Sequence, residues 1–362
     1  MKPTLFLIFS FIGAILPAKE PVLTLFYQLS KTFQRQYETP AEQAYRLKVF
    51  RANYGLVGTK MGSLKAWEAG LNQFFDLSEE EFNRWYTLPE TSLYRKSLSL
   101  SRGKNIEKEN RKLLNVGGLF DSEPIGNSSL GRFLQLTDPL GDVPRQVSFR
   151  RFSTSIKDQQ KCSACYAFAA LAGVELWTSI VHGAKVSLSE QEIVDCSTED
   201  QHCIGGQMSN TLAYIIDNGV SYSQTYPYIG KRGDRCSINP VSPRYRRLVD
   251  FGFFPDNIVS LIRMAAKGPV VVAHAASQQF KFYKKGVFTG EGCPGIRKAN
   301  HSALIIGYNL DAPIPYFELK NSWSEQWGES GYYQLAIGPI GWNQKGLCLI
   351  AETPFNVVPL VK

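Results

Sequence analysis

The chain carries seven cysteines, Cys162, Cys165, Cys196, Cys203, Cys236, Cys293 and Cys348. In an oxidising compartment an odd number leaves one thiol unpaired. Cys165 is where such a thiol could do chemistry. It opens the stretch CYAFAALAGVELW, in which Phe168, Leu171, Val174, Trp177 and Val181 recur at helical spacing until Gly183 stops the run. A helix N-terminus presents unpaired N–H groups and about half a positive charge, which favours thiolate over thiol. Covalent catalysis then needs a base. Of the four histidines (His182, His202, His274 and His301), His301 lies in KANHSALIIGY, just before an apolar strand. From there its side chain can project into a cleft. Asn321 opens the loop NSWSEQWG, where it can orient the imidazole while Trp323 and Trp327 keep water out.

Other chemistries fit less well. Cys162 and Cys165 form a C-x-x-C, but the βαβ unit of a redox pair is missing and Cys203 is available to Cys162. The histidines are scattered and the cysteines committed, so no metal set and no cofactor is expected. His182 closes a helix, His202 is expected to be exposed, and His274 is expected to pack beside a strand. Asn127 heads a glycosylation sequence; Asn300 heads another, but a glycan there would block the cleft.

The elements that would hold this set read as α+β. SLSEQEIVDC offers Ser189 and Glu192 as a capping box for a second helix, and MSNTLAYIIDNG a third ending at Gly219. Then PVVVAHA, SALIIGY, PYFELKNSW and GYYQLAIG read as strands. Upstream, Thr39, Pro40 and Glu42 mark a helix start within a cysteine-free helical unit over residues 19–86. Residues 87–141 are rich in Ser, Gly, Asn and charge, with a basic run from Arg95 to Lys112, and read as a cuttable linker. The main globular unit covers 142–362.

With 362 residues, 44% of them hydrophobic, the chain can bury one large or two modest cores. Its charge is +8, yet no basic stripe is interleaved with aromatics, so nucleic-acid binding is not expected. Leu5–Leu16 is too short for a membrane span, which takes roughly 20 residues. Lys2 before it and Ala18 after it make residues 1–18 a secretory signal peptide. No later stretch is long enough to span.

Together these residues resemble the papain and cathepsin L family of cysteine proteases. The family's local signature is Cys-Gly-[Ser/Ala]-Cys-[Trp/Tyr], with His and Asn roughly 130–150 residues on; here it reads Cys162-Ser163-Ala164-Cys165-Tyr166, with His301 and Asn321 downstream. The resemblance implies Cys165 as nucleophile, His301 as its base and acid partner, Asn321 as orienter, and Gln159 with the Cys165 N–H as oxyanion donors. Gly205 and Gly206 would line the substrate backbone. Gln207, Met208, Ala273, Ala299 and Thr353 would wall the pocket for the side chain two residues before the cut, with Trp323 beside the cleft. The family's bridges carry over as Cys162–Cys203, Cys196–Cys236 and Cys293–Cys348; spacing alone leaves 15 pairings open. Upstream, Glu42, Arg46, Val49, Phe50 and Asn53, then Gly70, Asn72, Phe74 and Asp76, match the inhibitory prosegment.

The implied fold has a helical left domain and an antiparallel, barrel-like right domain with the cleft between, preceded by a helical prodomain that lies through the cleft opposite to substrate. The implied function is a secreted or lysosomal endopeptidase made as a zymogen and cutting after an apolar residue in that pocket. Its partners would be polypeptide substrates, its own prosegment and cystatin-like inhibitors, and it would be a monomer. The alternative is a catalytically impaired homologue acting as a binding protein. Three positions depart from the family: Ser163 and Gln160 where Gly is usual, and Tyr166 where Trp is usual.

Overall fold

The computed structural model describes residues 21–58, 66–89, 140–141, 143–246, 248–253, 257–341 and 344–359. The expected signal peptide, most of the expected linker and the Asn127 sequence lie outside them.

The N-terminal unit folds as helices α1 (Pro21–Thr32), α2 (Pro40–Leu56) and α3 (Glu79–Tyr86). Thr39 caps α2 by accepting the Glu42 N–H at 3.1 Å, with Pro40 in the first turn, where its missing N–H costs nothing. A full capping box, Ser78 with Glu81, starts α3. The unit is not purely helical: β1 (Trp67–Ala69) pairs with a strand of the following half.

The helices of the main body are α4 (Cys165–His182), α5 (Glu190–Cys196), α6 (Met208–Asn218) and α7 (Ile258–Lys267). Gly183 adopts φ +66° and ends α4; Gly219 follows α6. The strands are β2 (Gln146–Ser148), β3 (Val220–Ser221), β4 (Arg244–Tyr245), β5 (Leu248–Phe253), β6 (Val270–His274), β7 (Tyr283–Phe288), β8 (His301–Asn309), β9 (Tyr316–Lys320), β10 (Tyr332–Ala336) and β11 (Phe355–Pro359). The large sheet runs β1-β7-β10-β9-β8-β6-β11-β5, with β2 on β8. Its pairs are antiparallel except β7–β10, which is parallel, a departure from the all-antiparallel expectation. β8 is buried along nearly its whole length, because α4 and α7 both pack on it. That explains its unbroken apolar run.

The fold is α+β, a helix-and-sheet body preceded by a mainly helical N-terminal unit. The expected amphipathic helix, α4, is instead buried almost all round. Glu175 on its otherwise polar side is no exception, since Lys157, Thr154 and the Leu188 N–H satisfy its carboxylate. Only half of the expected capping box forms on α5. Ser189 caps the Glu192 N–H at 3.0 Å, but the Glu192 carboxylate is held by Arg244, Tyr214 and the Ser221 N–H.

Two apolar cores result. One surrounds α4; the other joins the sheet to α7 and to prosegment residues Phe26, Phe50, Phe74, Phe75 and Phe82. The prosegment therefore shares a core with the body it precedes.

Candidate active site

Cys165 is the first residue of α4, fully buried, and the free cysteine among the described residues. Burial pushes its thiol up to about 12, against hydrogen bonding from Ser302 and from the backbone of Tyr166 and Cys165 itself. His301, the first residue of β8, donates from Nε2 to Asn321 Oδ1 at 2.8 Å. That oxygen also accepts the Ser322 N–H at 2.9 Å, so Asn321 is fixed from both sides. Burial, then the neighbouring His274, hold the His301 imidazole down to about 3. The Trp323 ring lies 4.5 Å from the imidazole, centre to centre. His301 Nδ1 makes no hydrogen bond among the described residues. Burial thus favours the neutral form of both groups in the closed chain.

Gln159 is aimed by the same loop. Its Oε1 accepts from Ser322 Oγ at 2.8 Å and Trp323 Nε1 at 3.2 Å. The amide nitrogen is left to face the cleft, where it donates to Cys162 O at 3.0 Å and Trp85 O at 3.3 Å. Trp85 belongs to the prosegment, which covers the site. The Leu88 N–H donates to Asn300 O at 2.6 Å, and the Tyr86 carbonyl favours the protonated form of His301. Phe74, Phe82 and Tyr86 set their rings edge-on to Trp323, at centroid distances of 5.4, 5.3 and 6.4 Å.

The remaining predicted residues divide by role. Gly206 is sterically required: a Cβ there would lie 2.6 Å from Asp200 Oδ1 and from the Tyr166 ring. The preceding Gly205 adopts φ +156°, and its carbonyl accepts the Gln201 N–H. Met208, Ala273 and Ala299 share an apolar cluster with Leu88 and Phe355. Gln207 borders them, its N–H bound by Asp200. Thr353 is half-buried, with a buried hydroxyl that no described residue partners; the adjacent Glu352 turns its carboxylate to Lys345, 3.7 Å away. The three bridges are Cys162–Cys203, Cys196–Cys236 and Cys293–Cys348.

The departures have local explanations. Gln160 sits at φ +51°, a left-handed backbone that favours glycine. Tyr166 uses its hydroxyl to hold His202 O at 3.0 Å. His202 is half-buried rather than exposed, its Nδ1 2.7 Å from Val194 O.

Three features were missed from sequence. Beneath the site, Lys157 bridges Glu175 and Glu190 at 2.7 and 2.6 Å. Beside them Lys320 is held by Thr154, and burial lowers its amine to about 8. The spacing of these charges along the chain gives no hint that they meet. His274 faces His301 across the β6–β8 register, 5.5 Å between ring centres, and shares a proton with Tyr333 Oη at 2.7 Å. Asp200, which ties the Gly206 turn to Asn210 and Ser197, carries no motif.

This constellation on this fold is that of a thiol hydrolase closed by its own N-terminus. Comparison with known proteins places the class. Residues 143–357 match the papain family cysteine protease profile, and residues 26–82 the cathepsin propeptide inhibitor domain. The chain is 30% identical to papaya proteinase 4 of Carica papaya over 94% of this chain and 88% of that protein. It is 33% identical to cysteine endopeptidase RepA of Oryza sativa subsp. japonica over 86% and 76%. A recombinant stem bromelain precursor superposes with TM-score 0.73 at 28% identity, covering 95% of this chain and all of that one (100%). Digestive procathepsin L 3 of Tenebrio molitor gives 0.71 at 26%, covering 95% and 100%. The chain belongs to the papain family of cysteine proteases: it is a cysteine-type endopeptidase zymogen with its inhibitory propeptide.

Proposed function

We propose that the chain is a catalytically competent protease. Residues 1–18 direct it into the secretory pathway, towards a lysosome-like or extracellular destination. Residues 19–86 hold it closed, a cut within 87–141 releases it, and 142–362 is the working enzyme. Cys165 attacks the peptide carbonyl as a thiolate. The Gln159 side-chain amide and the Cys165 N–H stabilise the oxyanion that forms. His301, oriented by Asn321, returns the proton to the leaving amine and then activates the water that hydrolyses the acyl-enzyme.

The observation that carries this reading is the buried Nε2–Oδ1 bond of 2.8 Å between His301 and Asn321. It fixes the ring while leaving Nδ1 free for a proton from sulfur. A binding-only homologue has no use for so constrained a histidine, next in the chain to Ser302, which hydrogen-bonds the free thiol. Leu88, clustered with Met208, Ala273 and Ala299, supports an apolar preference two residues before the cut. The working enzyme would meet polypeptides and cystatin-like inhibitors as a monomer.

The test is titration of the activated protein with a thiol-reactive epoxide. One labelled cysteine, Cys165, with hydrolysis lost in proportion is expected. A protein that hydrolyses nothing before labelling would leave the binding-protein reading standing.

A further inference from the structure

The last carbonyls of a helix have no partner within the helix. The prosegment helix α3 ends at Tyr86, and Thr87 leaves it in extended conformation, φ −124° and ψ 169°, without a left-handed cap. Of its orphan carbonyls, Asn83 O accepts the Thr87 hydroxyl at 2.9 Å, and those that follow are met from the enzyme side. Ser163 Oγ donates to Thr87 O at 2.5 Å and lies 3.0 Å from Arg84 O. Gln159 Nε2 reaches Trp85 O at 3.3 Å. The Lys161 ammonium lies 4.8 Å from the centre of the Trp85 ring, where a cation also suits the negative end of a helix. Within the loop, the Cys162–Cys203 bridge and the Ser163 N–H bond to Cys203 O, 3.0 Å, hold the donors in place.

We propose that the loop Gln159–Ser163 is a C-cap for the prosegment helix, supplied by the enzyme, and that Ser163 is the residue that sets how firmly the zymogen is closed. The end of α3 occupies the Gln159 amide, one of the two donors that would otherwise receive a substrate's developing oxyanion. This deepens, and rests on, the reading of the cleft as the hydrolytic site. Glycine at 163 would leave Thr87 O without its hydroxyl donor in a site from which water is excluded, since Ser163 is itself fully buried. Ser163 is thus a positioning residue that favours the closed chain, and it takes no part in bond making.

Alkylation of the free thiol in the full-length protein reads this directly, because Cys165 is fully buried until the prosegment lifts. The quantity is the ratio of the alkylation rate of the uncut chain to that of the same variant after activation. Dividing by the second rate removes any change in the thiol itself. For Ser163→Gly and Ser163→Ala at neutral pH this ratio is expected to rise about five- to tenfold over wild type, the effect of one buried hydrogen bond. An unchanged ratio in both folded variants would overturn the proposal; so would a rise in the two separate rates that cancels in the ratio. Should the Gly variant fold poorly, the Ala variant, which keeps the Cβ, decides alone. The outcome is independent of the functional reading, since alkylation reports opening whether or not the activated protein cuts peptides.

Discussion

Residue by residue, the site assigns unequal weights. Cys165→Ala is expected to abolish peptide hydrolysis while the chain still folds, since removal of a small thiol leaves little void. His301→Ala should be nearly as damaging. Asn321→Ala should cost less, because Asn321 holds the ring but takes no proton; kcat for the three variants orders them. The proposed specificity pocket adjoins them. Burying a Leu- or Val-sized side chain against Met208, Ala273 and Ala299 is worth about 1.5–3 kcal/mol, while an unpaired charge there would cost free energy. Fluorogenic peptides varied two residues before the cut should favour Leu, Val or Phe. A clear preference for Arg would mean that Glu352, here turned to Lys345, swings into the pocket. Gln160 gives a stability prediction: at φ +51°, Gln160→Gly should raise the unfolding free energy of the activated enzyme by up to about 1 kcal/mol, measured by denaturant titration.

Among the elements, what the sequence made legible was local. Thr39-Pro40 before α2, Ser189 before α5 and Gly219 after α6 act through bonds within a few residues, so type and spacing sufficed. The Cys165, His301 and Asn321 set was legible because each heads a helix, strand or loop whose pattern is plain. What stayed hidden depends on distant partners. Glu192 was available for a capping box until Arg244 claimed its carboxylate. β1 is a strand only because β7 offers an edge, and the orphan carbonyls of α3 find donors far along the chain. The same division yields a prediction for the catalytic pair. With burial raising Cys165 and lowering His301, the thiolate should be scarce in the closed chain and form once α3 leaves. The thiolate absorbance of the free sulfur at neutral pH should therefore appear on activation, and Ser163 variants should show it earlier.

For the whole molecule, acid acts in two stages. The closed state keeps His301 neutral, its imidazole held near 3 against an ordinary 6.5. A depressed histidine favours the closed state fully above its ordinary value. That contribution is lost as pH falls from 6.5 towards 3, by about 1.4 kcal/mol per pH unit at most. Within the prosegment, Glu81 titrates below the ordinary value 4.5: partial burial raises it, but bonds from Arg46 and Ser78 outweigh this. Its contribution is present above 4.5 and lost below. Opening, followed by Cys165 alkylation of the uncut chain, should therefore begin below about pH 6.5, while the helical content of the prosegment should persist to about pH 4.5. Loss of both in one step would show that the prosegment unfolds rather than lifts.

Release also changes the sheet. Trp67–Ala69 now covers β7, with Glu68 opposite Lys285. When that strand departs, its N–H and C=O partners on β7 are left facing water, and a bare edge invites other chains to add to it. β7 is armed against this before it is uncovered. Lys284 and Lys285 stand exposed side by side on it, and Gly286 at φ +88° breaks its extension. If activation sheds that strand, the two exposed lysines are expected to discourage another chain from pairing with the bared edge.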